Sequence, residues 1–180
     1  MTTKIIGTGR CLPETVVTND DLSKIMDTSD EWISSRTGIR ERHIAKDETT
    51  ATMSAEAAKK ALAQAGLEAS DIDLIIVGTL TGDYVTPSTA CEVQSMIGAT
   101  NAVAFDVNAA CSGFMFALNT AHVYLQAGSY KNALIIGAET LSKIMDWNDT
   151  PPRGKEIAHR RGCAACPTRN MPVPAWPDWP

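Results

Sequence analysis

Two uninterrupted apolar runs, LIIVG at 74–78 and LIIG at 134–137, constrain the fold of this 180-residue chain more than any other feature. A strand with one wet face alternates apolar and polar side chains, whereas one that is apolar at every position is buried on both faces. A sheet covered on both sides needs helices between its strands, and the sequence supplies them. TMSAEAAKKALAQA (52–65) reads as a helix closed by Gly66, and PSTACEVQSMIG (87–98) as a helix opened by Pro87 at its first position. AVAFDVN (102–108) is a further strand, and CSGFMFALNTAHVYLQAG (111–128) is a helix apolar nearly all round, expected to be central and buried. Strands alternating with helices predict an α/β protein with a largely parallel sheet. Upstream, Lys4–Thr8 reads as a first strand, and Thr18 or Asn19 as the cap of DDLSKIMD. Ser29 caps a helix in SDEWISSRTG that Gly38 stops, and residues 39–45 form an exposed strand or loop.

Hydrophobic content of 44% and charged content of 21% are those of a globular chain, and a net charge of −5 argues against nucleic-acid binding. No apolar run approaches the roughly 20 residues of a membrane span, and the N-terminus has no signal-peptide core, so a cytoplasmic location is expected. Five cysteines, three of them far apart at Cys11, Cys91 and Cys111, fit reduced thiols better than a disulfide framework. The composition changes near residue 150. Residues 151–180 carry seven of the nine prolines and a charge of about +3, leaving about −8 for the rest. The expected division is a folded unit at 1–149 and a proline-rich, irregular tail at 150–180 outside the fold.

DVNAACSGF (106–114) sets Cys111 where a strand runs into a helix. Two readings stand side by side. Most free cysteines are small buried hydrophobes. A cysteine in the first turn of a helix, however, faces unpaired N–H groups and the positive end of the dipole, which favour a thiolate. The small neighbours Ala109, Ala110, Ser112 and Gly113 leave room for a substrate, and backbone N–H groups at such a turn can form an oxyanion hole.

DVNAACSGF resembles the nucleophile turn of the β-ketoacyl-acyl carrier protein synthase III family, which initiates type II fatty acid synthesis. KIIGTGRCLPE, DTSDEWISSRTGIRERHIA, PSTACEVQSMIG and ALIIGAETLSKIMDW resemble that family in order and spacing, over about residues 3–149, close to its N-terminal half. The resemblance implies a thiolase-like fold in which Cys111 attacks an acyl-CoA and passes the acyl group to malonyl-acyl carrier protein with loss of CO₂. It places Trp32 and Arg36 where members grip coenzyme A, with Thr28 and Thr37 contacting the same nucleotide. Indole stacks on a flat base and guanidinium forks onto phosphate. A packed helix face with a surface charge is the plainer alternative for Trp32 and Arg36. Coenzyme A is then part of the substrate, and no separate cofactor or metal is implied. By the same resemblance, Thr86 sits just before the helix whose family counterpart borders the partner subunit's acyl pocket, where a threonine would leave room for primers longer than acetyl. The resemblance also implies a homodimer, because the family dimerises through the region of the helix 87–97 and the strand 102–107.

The family completes its site with a histidine and an asparagine from its second half. His122, eleven residues after Cys111 on one helix, would stand about 16 Å along the axis. His43 and His159 match no catalytic position. DWNDT runs into PPRGKEIAHRRGCAACPTRN, where the family has a glycine-rich segment. The change suggests a frameshifted or truncated product, and hence the alternative of an incompetent fragment that keeps coenzyme A affinity and a dimer surface. In the family the two halves cover each other, so residues 1–149 are expected to expose apolar surface. A rival reading takes His159, Cys163 and Cys166 as three zinc ligands lacking a fourth.

Overall fold

The computed structural model of the chain describes residues 3–145 and Trp147. Residues 150–180, with the expected irregular tail and the His159, Cys163 and Cys166 ligand set, lie outside the described residues. A short hairpin comes first. Strand β1 (Val16–Thr18) pairs antiparallel with β2 (Glu41–His43), and helices α1 (Asn19–Ser23) and α2 (Asp30–Thr37) lie between them. Helix α3 (Thr50–Ala65) follows, then strand β3 (Leu74–Gly78), helix α4 (Thr89–Ile97) and strand β4 (Val103–Val107). Helix α5 (Gly113–Gln126) and strand β5 (Ala133–Gly137) complete the order. Strands β4, β3 and β5 form a parallel sheet in that order, so β3 is central.

All five residues of β3 are buried, as its continuous apolar run requires. Because side chains alternate along a strand, its two faces feed two cores. Ile75 and Val77 join Leu134 and Ile136 against Ala58 and Leu62 of α3 and Ala90 and Val93 of α4. Leu74 and Ile76 meet Ala117 and Ala121 of α5 on the other side. The result is three layers, with α3 and α4 on one side of the sheet and α5 on the other. A third, smaller cluster around Leu22 and Ile33 holds α1 and α2.

The caps are local and follow the sequence. Thr18 caps α1 in a reciprocal box with Asp21, whose carboxyl is held well below its usual range by hydrogen bonds from Lys24 and Thr18. Ser29 caps α2, which ends on Gly38 at φ 74°, a conformation only glycine adopts freely. Gly66 ends α3 in the same way at φ 67°.

Four expectations change. The segment expected as strand Lys4–Thr8 carries no ladder in the described residues. It lies against α3 instead, where Thr8 N–H donates to Gln64 Oε1 at 2.6 Å and a Cβ at Gly9 would come within 2.0 Å of the Ala57 carbonyl. The helix expected over 20–27 stops at Ser23. Pro87 is not the first residue of α4: Ser88 is the N-cap, accepting from Cys91 N–H, so the proline stands one position before it. The reason lies across the fold, since Asp106 on β4 accepts from Thr89 and Ala90 N–H, both at 2.8 Å, and fixes where the helix begins. Helix α5 is not buried all round. Gly113, Ala117 and Ala121 lie on the sheet, while Phe114, Met115, Phe116 and Val123 stay exposed because, among the described residues, one layer alone packs on the helix. That exposed face matches the apolar surface the family resemblance implied for this half.

Glu92 on α4 stands out among the carboxylates. One of its oxygens is buried without a partner among the described residues, and burial, together with the charges of Asp83 and Asp106, raises its pKa. A raised carboxyl pKa means that the folded chain binds the proton more tightly than the unfolded one. Stability therefore falls as pH rises from the ordinary carboxylate range through the raised value. Glu92→Gln should be more stable than the parent at pH 7 by less than about 1 kcal/mol, since water still screens part of the group. Urea titrations should show that advantage disappearing as pH is lowered below the ordinary range. An advantage independent of pH would refute the assignment.

Candidate active site

Cys111 lies just beyond the carboxyl end of β4, at the edge of a parallel sheet where open α/β folds place their sites. Between β4 and α5 the chain makes a tight 3₁₀ turn, Ala110–Ser112. Ala110 enters it at φ 45°, the one described non-glycine residue in the left-handed region. That conformation costs an alanine about 1 kcal/mol or more, and such strain clusters where a side chain must be aimed. Cys111 is exposed, and its thiol is free. The neighbouring donors are partly committed, with Ser112 N–H bonded to the Ala109 carbonyl and Gly113 N–H to that of Ala110. The oxyanion hole expected from this turn therefore cannot use those two N–H groups as they stand.

Glycine on both sides lets the turn sit where it does. A Cβ on Gly78, at the end of β3, would come within 2.7 Å of the Gly113 carbonyl carbon and 2.8 Å of Phe114 N. The N-terminus of α5 thus rests backbone to backbone on the central strand, with Cys111 two residues away.

The neighbouring strand ends are tied by one carboxylate. Glu139, two residues past β5, accepts from Leu80 N–H at 3.0 Å, Thr81 N–H at 3.2 Å and the Thr81 hydroxyl, and so holds the loop after β3. Thr50 at the start of α3 extends the net, donating to the Thr81 carbonyl at 2.6 Å and lying 3.0 Å from the Thr140 hydroxyl. Thr50, Thr81 and Thr140 are all buried, so these bonds satisfy groups that water cannot reach. Neither Glu139 nor the threonines were singled out from sequence; the acid closing the apolar run ALIIGAET was the available signal.

The expected nucleotide residues sit on or beside α2. Trp32 and Arg36, one helical turn apart, stack with the Arg36 guanidinium carbon 4.5 Å from the ring centroid. Arg36 also donates to the Trp32 carbonyl at 3.2 Å. Thr28 precedes the helix, and its hydroxyl is buried with no partner among the described residues. Thr37 is committed to the helix end, donating to the Ile33 carbonyl at 2.8 Å and accepting from Ile39 N–H at 3.0 Å. The structure brings Trp32 and Arg36 together and turns the Thr37 hydroxyl inward. Both described histidines are engaged: His122 Nδ1 with the Thr3 hydroxyl at 2.7 Å and His43 Nδ1 with the Pro13 carbonyl at 2.6 Å. Among the described residues no group of three potential ligands is placed to hold a metal, and no helix is long and apolar enough to cross a membrane.

The model of the 3-oxoacyl-[acyl-carrier-protein (ACP)] synthase III family matches residues 105–166, a stretch containing the whole Cys111 turn. Beta-ketoacyl-[acyl-carrier-protein] synthase III of Clostridium acetobutylicum is 58% identical over 146 residues, 81% of this chain and 45% of that protein. The chain belongs to the β-ketoacyl-acyl carrier protein synthase III family. The corresponding protein of Clostridium novyi is 55% identical over 162 residues, 90% of this chain and 49% of its own. The crystal structure of 3-oxoacyl-[acyl-carrier-protein] synthase III from Aquifex aeolicus superposes with a TM-score of 0.80 at 55% identity. It covers 82% of this chain and 48% of that one. The fold is therefore thiolase-like, as the resemblance implied. The chain spans about half the length of the curated relatives it matches. The family match continues to residue 166, past the boundary expected at 149–150.

Gly78→Ala tests the close approach that seats the turn. The added methyl meets backbone atoms that cannot rotate away, so the variant should lose about 2 kcal/mol of stability. It should also change the rate at which iodoacetamide alkylates Cys111. A variant matching the parent in both urea midpoint and alkylation rate would show that the Gly78–Gly113 contact does not position the thiol.

Proposed function

We propose that this chain carries the acyl-accepting and nucleotide-gripping half of a β-ketoacyl-acyl carrier protein synthase III. The observation that carries the reading is the exposed Cys111 on the strained Ala110 turn, inside the stretch matched by the family model. In the acylation step the Cys111 thiolate attacks the thioester carbonyl of an acyl-CoA. The carbonyl–sulfur bond to coenzyme A breaks, the coenzyme leaves as its thiolate, and an acyl-cysteine remains. In the second step malonyl-acyl carrier protein loses CO₂, and the resulting carbanion attacks the acyl-cysteine carbonyl. The Cys111 thiolate is released and a β-ketoacyl-acyl carrier protein leaves. By the resemblance, that step draws on a histidine and an asparagine from the half of the family's length that this chain does not span.

Trp32 and Arg36 take the nucleotide end of the acyl-CoA. The indole offers a flat face to the base and the guanidinium a fork for phosphate. Thr37 contributes through the end of α2, because its hydroxyl is already used there. The assembly is a cytoplasmic homodimer with acyl-CoA and malonyl-acyl carrier protein as its substrates. Val103 exposed on edge strand β4, together with Tyr84 and Val85 in the loop before α4, supports a protein partner on that side.

Acylation can be read without condensation. Intact-mass spectrometry of the chain incubated with acetyl-CoA should show one added acetyl group, mapped by peptide digestion to Cys111 and absent in Cys111→Ala. Acetylation that persists in that variant, or no acetylation in a wild-type chain shown to be folded, would overturn the assignment of Cys111.

A further inference from the structure

Helix α2 is eight residues long and buries one side chain fully, Ile33, so hydrophobic packing alone holds it weakly. Beyond its Ser29 and Gly38 caps, both ends of the helix are tied to the rest of the fold by Asn19. This side chain is 1% exposed. Its Nδ2 donates to the Asp30 carboxylate at 2.7 Å, at the first residue of α2, and to the Ile39 carbonyl at 2.7 Å, two residues past the last. Its Oδ1 accepts from Arg42 Nη2. Its own backbone N–H donates to the Arg40 carbonyl at 3.1 Å.

Arg42 is in turn buried at 7% exposure, on β2, and its Nη1 donates to the Val17 carbonyl at 3.1 Å on β1. A guanidinium does not lose its proton in a protein, so a buried one needs negative charge nearby. No ion pair to Arg42 is formed among the described residues; its link to an anion runs through the Asn19 amide, carbonyl oxygen toward the guanidinium and amino group toward Asp30. An amide is suited to that place because it is acceptor at one end and donor at the other. Arg42 is thereby fixed to the hairpin while Asn19 is fixed to both ends of α2. Stacked on that helix are Trp32 and Arg36.

We propose that Asn19, backed by Arg42, is a positioning residue for coenzyme A recognition: it clamps both ends of α2 and so sets Trp32 and Arg36 for the nucleotide. The inference rests on the reading of α2 as the nucleotide site. It assigns Asn19 and Arg42 no contact with the ligand.

The test uses the 180-residue chain, coenzyme A as the probe, and the variants Asn19→Leu, Trp32→Ala and their combination, with affinity read by titration calorimetry. Asn19→Leu should weaken coenzyme A binding about tenfold, a cost typical of misplacing recognition groups held from a distance. Because Asn19 acts in part through Trp32, the loss in the double variant should be clearly smaller than the two single losses combined, the remainder being what the clamp contributes through Arg36. Effects that simply add, or an Asn19→Leu chain that binds as the parent does, would overturn the proposal. Should Asn19→Leu fail to fold, Asp30→Ala removes the same clamp at the helix start and must give the same non-additive pattern with Trp32→Ala. A second readout separates the clamp from the ligand. In a Trp147→Phe, Trp176→Phe, Trp179→Phe background Trp32 is the one tryptophan left, and Asn19→Leu should shift its emission and acrylamide quenching without ligand. If the parent does not bind coenzyme A, or Trp32→Ala binds as well as the parent, the nucleotide reading of α2 fails. A shifted Trp32 emission would then still establish the clamp, and an unchanged one would remove it as well.

Discussion

The burial of β3 on both faces is the constraint on which the rest of this structure depends. Its five residues separate two cores, and each of the layers α3–α4 and α5 exists to cover one side of it. Side chains such as Ile75 and Ile76, at zero exposure, each contribute about 1.5–3 kcal/mol by leaving water. The functional geometry hangs from the end of the same strand. Gly78 is its last residue, and it is there that α5 makes backbone contact and brings the Cys111 turn onto the sheet.

Around that frame, polar groups do what hydrophobic packing cannot, which is to specify direction and register. Asp106 starts α4, Asp83 meets the first N–H groups of α3 through Thr50 and Ala51, and Asp73 receives Lys131 and Asn132 N–H before β5. Each is a carboxylate from one segment satisfying orphan N–H groups of another, bonds that are worth more than neutral ones. Glu139 and Asn19 follow the same logic at larger scale, one gathering the loops beside the sheet's carboxyl edge and the other gripping a whole helix. The Cys111 turn and helix α2 are thus held by separate devices, a close glycine contact for one and a buried amide for the other.

The strands at 74–78 and 134–137 were legible because continuous apolar runs have one sensible environment. Both ends of α2 and the C-terminal end of α3 were legible because the Ser29 cap and the Gly38 and Gly66 stops act within four residues; the Thr49 cap that starts α3 two residues ahead of the expected Thr52 was not. The strand expected at Lys4–Thr8 was misjudged because the segment has no ladder partner among the described residues: Gly7 and Thr8 lie against α3, while Ile5 and Ile6 stay exposed. Helix α5 was misjudged in the opposite direction: its composition suits burial on every side, but composition does not say how many layers will cover it. Cys111, Thr28, Trp32, Arg36 and Thr37 were singled out chiefly through motif resemblance, since nothing in a lone cysteine or tryptophan distinguishes chemistry from packing.

The sequence by itself determined the alternation of buried strands and capped helices, and with it the parallel sheet, because burial pattern and capping are local properties. The tertiary structure alone decided what makes the site a site. The left-handed Ala110 turn, the Gly78–Gly113 approach, the Glu139 net and the Asn19 clamp each join residues that lie apart along the chain or hold a backbone conformation no residue type announces. Such contacts depend on where whole elements come to rest, so they are settled only when the cores around β3 have formed.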